Sequence, residues 1–146
     1  MGKSADIQKL LTVKSLRRKL AELEAAKARN AVLNAEDAVN RAVYSEEATK
    51  QGSETLRKKR ISELLEKPDN VAVQNALIGN VFAKTDYEIA QAIERTGRKQ
   101  QELDTSQHYA AQKQKNLARF LQMEERAKQF FERVKSAEDL EALRSE

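Results

Sequence analysis

A single proline divides this chain. In the stretch Glu66-Lys67-Pro68-Asp69-Asn70, the ring of Pro68 removes a backbone donor and pushes Lys67 out of the α region, while Asp69 and Asn70 favour turns and helix caps. Both flanks have helical periodicity, so one long helix must stop at the proline and another must follow it. A short connection between long helices folds them back antiparallel. The expected fold is all-α: an elongated antiparallel two-helix coiled-coil hairpin, with room for a short helix at the tip. It forms one domain over 1–146, with a first long helix over about 5–66, a turn and tip over 67–80 and a second long helix over about 81–140.

Composition points the same way. Of the 146 residues 34% are charged and only 5% aromatic, with no Trp, so the bulky side chains that fill a multilayer core are missing. Ala, Leu, Glu, Lys, Arg and Gln dominate, as in long helices. With no cysteine and one histidine, a disulfide framework, a thiolate nucleophile and a multi-histidine metal site are all excluded within one chain. No apolar run approaches the ~20 residues that span a bilayer, and the expected compartment is the cytosol. Charge is polarised along the chain: Lys3, Lys9, Lys14, Arg17, Arg18 and Lys19 face only Asp6 in residues 1–20, whereas Glu138, Asp139, Glu141 and Glu146 face only Arg144 in residues 136–146. A hairpin lays these segments side by side with modest mutual attraction.

The first arm opens with Ser4 as an N-cap and Asp6 in the first turn, where a negative charge is favourable. Val13, Leu16, Leu20 and Leu23 follow at spacings of three, four and three and predict a coiled-coil seam. A second stripe, Ala25, Ala28, Val32, Ala35, Val39 and Ala42, requires the heptad phase to slip once near Leu23 to Ala25. From Tyr44 to Arg60 the seam thins and Gly52 predicts a soft or kinked stretch; Ile61, Leu64 and Leu65 then restore an apolar face. After the turn, Val71, Val73, Leu77, Ile78, Val81 and Phe82, interrupted by Gly79 and Asn80, predict a short helix capping the tip rather than a continuous one. Ile78, Phe82, Ile89 and Ile93 share one face of the second arm. The stripe Leu103, Ser106, Ala110, Lys113, Leu117, Phe120, Glu124, Ala127, Phe131 and Val134 then keeps strict three-four spacing. Register set by the turn would place Leu117 to Val134 against Val13 to Val32.

A search for chemistry finds little. His108 reads as a solvated helix residue, no glycine-rich phosphate loop exists, and the carboxylates are strewn along helix faces without a pocket. The chain is therefore expected not to be an enzyme, to need no cofactor or metal, and to enclose no small-molecule ligand. The run Arg57-Lys58-Lys59-Arg60 is flanked by Glu54, Glu63 and Glu66 and lacks interleaved aromatics, which disfavours nucleic acid as a partner. What remains is a protein working by shape and surface. The stretches Val71 to Phe82 and Leu117 to Val134 carry more apolar side chains than a two-helix seam hides, suggesting a partner at each end.

The basic opening helix with Leu10-Leu11-Thr12-Val13-Lys14-Ser15-Leu16-Arg17-Arg18, the Ala-rich heptads, the central break and the closing Phe130-Phe131-Glu132-Arg133 resemble the FliJ/YscO stalk proteins of bacterial type III export. The likeness covers the whole chain in length, layout and charge. It implies an antiparallel coiled coil like the central rod of rotary ATP synthases, cytoplasmic and peripheral to the inner-membrane secretion apparatus. It implies binding to the hexameric secretion ATPase at the end bearing the termini, through Arg17, Arg18 and Lys19 facing an acidic ring lining. It also implies binding to the export-gate membrane protein at the tip through Leu77, Ile78 and Phe82. Some members bind substrate chaperones as well. The absence of Trp near the turn departs from the flagellar pattern and suits an injectisome-type member. Two other readings stand beside it: a scaffold or adaptor whose hairpins dimerise as a four-helix bundle, and a helical nucleic-acid-binding protein. The stalk reading favours a monomer over a dimer.

Overall fold

The structure, a computed structural model, describes residues 2–66 and 71–145. It consists of two long helices packed against each other as an all-α hairpin, α1 over Gly2–Glu66 and α2 over Val71–Arg144. The expected break at Pro68 lies outside the described residues. Both helices are continuous where the sequence predicts interruptions. Gly52 sits inside α1, while Gly79 and Asn80 sit inside α2, which begins at Val71 without a separate tip helix. A glycine costs only about 1 kcal/mol relative to alanine in a helix, and packing of the neighbouring Ser53 beside Gly52 and of Ile78, Val81 and Phe82 around Gly79 outweighs it. Ser4 is likewise inside α1 rather than its cap.

The chain divides into two compact units, Met1–Val32 with Ser106–Glu146 and Leu33–Thr105. In the first, the Ser4 amide donates to Glu138 Oε1 (3.2 Å) and Arg18 Nε donates to Glu124 Oε2 (2.7 Å). Rising numbers on α1 thus meet falling numbers on α2, so the helices run antiparallel. The seam of α1 here is Ile7, Leu11, Lys14, Arg18, Ala21, Ala25, Ala28 and Val32, all buried or half-buried at strict three-four spacing. On α2 it is the expected stripe from Ser106 to Val134. At the centre, Ala21, Ala25 and Leu117 are buried together, with Phe120 packed against them.

This corrects the predicted seam. Val13, Leu16, Leu20 and Leu23 do not face α2; they are exposed, Leu20 at 61% and Leu23 at 60%. No phase slip occurs, because the alanine stripe simply continues backwards through Ala21 and Arg18. Leu117 and Phe120 fill the space that alanine leaves, and leucine in the same place would overpack it. The register differs too: Leu117 lies beside Ala21 and Ala25, not beside Val32. The small-to-large fit and the Arg18–Glu124 pair align the helices here.

In the second unit, Thr96 Oγ1 donates to the Ala42 carbonyl (3.3 Å) and Arg57 Nε donates to Thr85 Oγ1 (2.7 Å), again an antiparallel pairing. Ala42, Ser53, Thr85, Ala92 and Leu103 are its buried residues. Ala92, not the expected Ile93, faces inward; Ile93 is 49% exposed. This seam is partly polar, with Ser53 and Thr85 buried beside Ala42, Ala92 and Leu103.

Two predictions follow from this packing. Leu117→Ala should destabilise the fold by about 2–3 kcal/mol and Leu20→Ala by less than about 0.5 kcal/mol, measured by urea unfolding followed by circular dichroism; equal losses would contradict the observed phase. A Cβ added at Gly52 meets nothing within 4 Å, and the backbone has no positive φ there. Gly52→Ala should therefore raise stability by about 0.5–1 kcal/mol in the same assay.

Candidate functional site

The first unit carries the expected Arg17, Arg18 and Lys19, but its helix geometry separates them. Arg18 is a seam residue. Its guanidinium donates from Nε to Glu124 and from Nη1 to Glu22 Oε1 (2.9 Å), and Glu124 Oε1 also takes Lys128 Nζ at 3.3 Å. The Glu124 side chain is only 6% exposed, so its charge must be matched inside the seam, and the fork of Arg18 does so. The hydrogen bond from Arg18 holds the Glu124 carboxyl below the usual carboxylate range against the opposing effect of burial, and Lys128 adds to it. The same bond, followed by the one to Glu22, raises the Arg18 pKa. Arg18 is thus committed to the fold, while Arg17 and Lys19 are exposed.

Beside these two cations lies the exposed stripe Val13, Leu16, Leu20 and Leu23. Leu20 borders a shallow groove of about 250 Å3 with Arg17, Ala21, Glu24, Lys113 and Phe120. Across it Lys113 Nζ reaches Glu24 Oε2 at 3.0 Å and lies 5.2 Å from the centre of the Tyr109 ring. The surplus apolar surface expected over Leu117 to Val134 is mostly consumed by the seam: Leu117 is buried, and Phe120, Met123, Phe131 and Val134 are half-buried, leaving Leu121 and Phe130 outside. Sequence reasoning missed that the free apolar face belongs to α1. Following the Ala42-to-Ala25 spacing backwards without a slip would have found it.

The second unit holds Leu77, Ile78 and Phe82. Ile78 and Phe82 are half-buried, and the Arg57 guanidinium sits 4.4 Å over the Phe82 ring. Arg57 also donates to the fully buried Thr85, to the Phe82 carbonyl (3.4 Å) and to the Asp86 carboxylate. The Thr85 hydroxyl can give its proton to the Val81 carbonyl at 2.9 Å, leaving its lone pairs to accept from Arg57. Arg57 is therefore a pin between helices rather than a member of a free basic run. Of its neighbours, Lys58 pairs with Glu54 (2.9 Å) and Arg60 with Glu63 (3.3 Å). Leu77 alone of the three tip residues stays exposed, bordering an open groove of about 370 Å3 that also includes Leu56, Lys59, Val81 and Lys84.

Among the described residues, no group of three or more His, Cys, Asp or Glu could hold a metal ion, and no helix is long and apolar enough to cross a membrane. Comparison with protein-family models, curated proteins and solved structures finds no match.

A carboxyl with a lowered folded-state pKa binds its proton less readily than in the unfolded chain, so it stabilises the fold above the unfolded carboxylate range and loses that effect as acid protonates it. Glu124→Gln should accordingly unfold at lower urea than the parent at neutral pH. The difference should shrink as the pH falls through and below the ordinary carboxylate range; a gap independent of pH would rule out the ion pair as its cause.

Proposed function

We propose that this chain is a coiled-coil stalk that couples a hexameric secretion ATPase to an export-gate membrane protein, working peripherally at the cytoplasmic face of the inner membrane. The observation that carries the reading is the apolar stripe Val13, Leu16, Leu20 and Leu23, left in water beside the exposed cations Arg17 and Lys19. A helix serving only its own hairpin gains nothing from leucines on its solvent face, and an apolar surface rimmed by charge is the ordinary mark of a protein partner. The two-helix hairpin, the basic opening and the apolar tip match the layout of the FliJ/YscO stalks that the sequence resembles.

On this reading Arg17 and Lys19 face the acidic lining of the ATPase ring, and Leu77 with its groove meets the gate. Arg18 and Phe82 leave the contact set, because Arg18 is paired with Glu124 and Phe82 lies under the Arg57 guanidinium, and Ile78 leaves it because it is half-buried. The role is mechanical: the chain does no covalent chemistry, takes no cofactor or small-molecule ligand, and acts as a monomer. Substrate chaperones are further partners by the same likeness. The same leucine stripe also favours a second reading, a scaffold in which two hairpins pair as a four-helix bundle. Nucleic-acid binding loses ground, since Glu54 and Glu63 neutralise two of the four charges of the basic run and Arg57 is turned into the seam.

Added to its cognate hexameric ATPase, the chain should raise turnover, and Arg17→Glu with Lys19→Glu should reduce that stimulation by about tenfold or more, since like charges against an acidic lining repel. Arg18 is kept in this test so that the hairpin stays intact. A chain of doubled mass in solution that leaves the ATPase unaffected would replace the stalk with the scaffold.

A further inference from the structure

The empty stripe of α1 is longer and more ordered than its four apolar residues. Continued at three-four spacing it reads Lys9, Val13, Leu16, Leu20, Leu23 and Lys27, all exposed. This is a second heptad seam on a helix that already uses its first seam for α2. It runs about 27 Å along the helix at 1.5 Å per residue. Among the described residues, Lys9, Arg17, Lys19 and Lys27 take part in no ion pair; those that residues 9–27 do form join Arg18 to Glu22 and Glu124, and Glu24 to Lys113.

We propose that this lysine-bracketed stripe is a docking seam for an amphipathic helix of a different protein, about 18–20 residues long, with leucine-type residues at three-four spacing and acidic residues at its ends and flanks. Charge complementarity selects this occupant over a second copy of the chain. In a parallel self-pairing, Lys9 faces Lys9 and Lys27 faces Lys27 at seam positions. In an antiparallel self-pairing that aligns the leucines, Lys9 faces Lys27. Both arrangements bring like charges together as the seam dries, and a glutamate-flanked helix relieves each of them. Arg17 widens the same preference where it lines the groove beside Leu20 and Phe120. The inference rests on exposure and charge alone and holds whichever assembly the chain serves.

The test uses the full chain and two fluorescent peptides of about 20 residues with the same leucine spacing, one flanked by glutamate and one by lysine. The glutamate-flanked peptide should bind, and its affinity should fall at least about tenfold between about 50 mM and about 300 mM salt. Leu16→Asp with Leu20→Asp should abolish binding while leaving the helical circular dichroism of the hairpin unchanged, since both side chains are already exposed. Lys9→Glu with Lys27→Glu should reverse the preference toward the lysine-flanked peptide. Equal binding of the two peptides, binding of neither, or a self-associated chain that Leu20→Asp converts to a single-chain mass would each overturn the proposal. No ATPase is present in this assay, so its failure is separate from failure of the coupling role.

Discussion

A helix in a two-stranded pairing has one face to give, and in this chain that face is decided by size rather than by hydrophobicity. Ala21 and Ala25 leave notches that Leu117 and Phe120 of α2 fill, so contact is made by small against large. Once these residues meet, three-four spacing dictates every other inward position of α1 in the first unit, from Ile7 to Val32. The four residues Val13, Leu16, Leu20 and Leu23 are thereby turned outward, and the surface available to partners is a consequence of how the core is packed.

Polar residues share the seam on equal terms. In the first unit the Arg18–Glu124 pair lies on the same stripe as the alanines, and Glu138 accepts from the Ser4 amide at the opening turn of α1. That carboxylate meets one of the amide groups a helix start leaves without an internal partner, and hydrogen bonds from Ser4, its side chain first and its amide after, hold the Glu138 carboxyl below its usual range. In the second unit Arg57, Thr85 and Phe82 form the corresponding crosslink. The Arg18–Glu124 pair favours one alignment, because sliding the helices would leave the buried Glu124 carboxylate without its cation. These polar contacts add to the register that the small-to-large apolar fit already sets.

The division of labour among basic residues follows from the same geometry. Adjacent residues on a helix are rotated by about 100°, since 3.6 make a turn, so a run such as Arg17, Arg18 and Lys19 cannot act as one patch. One member goes to the seam and two go to solvent. In the run Arg57 to Arg60, likewise, Arg57 turns to the seam and the other three go to solvent. A partner therefore meets fewer cations than the sequence displays, set beside leucines that the sequence seemed to place inside.

From the chain alone came the helical class, the pairing of two long helices and the entire α2 stripe from Leu103 to Val134, because three-four spacing is a local property carried by each helix for itself. The alanine stripe of α1 from Ala25 to Ala42 was legible for the same reason. Only tertiary structure decided that this stripe runs back past Ala21 and leaves the leucines in water, that α2 continues through Gly79 to Val71, and that Arg18 and Arg57 point inward. Two apolar stripes compete on α1, and hydropathy favours the one richer in leucine. The winner is the stripe whose volume complements the opposing helix, a property that belongs to neither helix until the two are together.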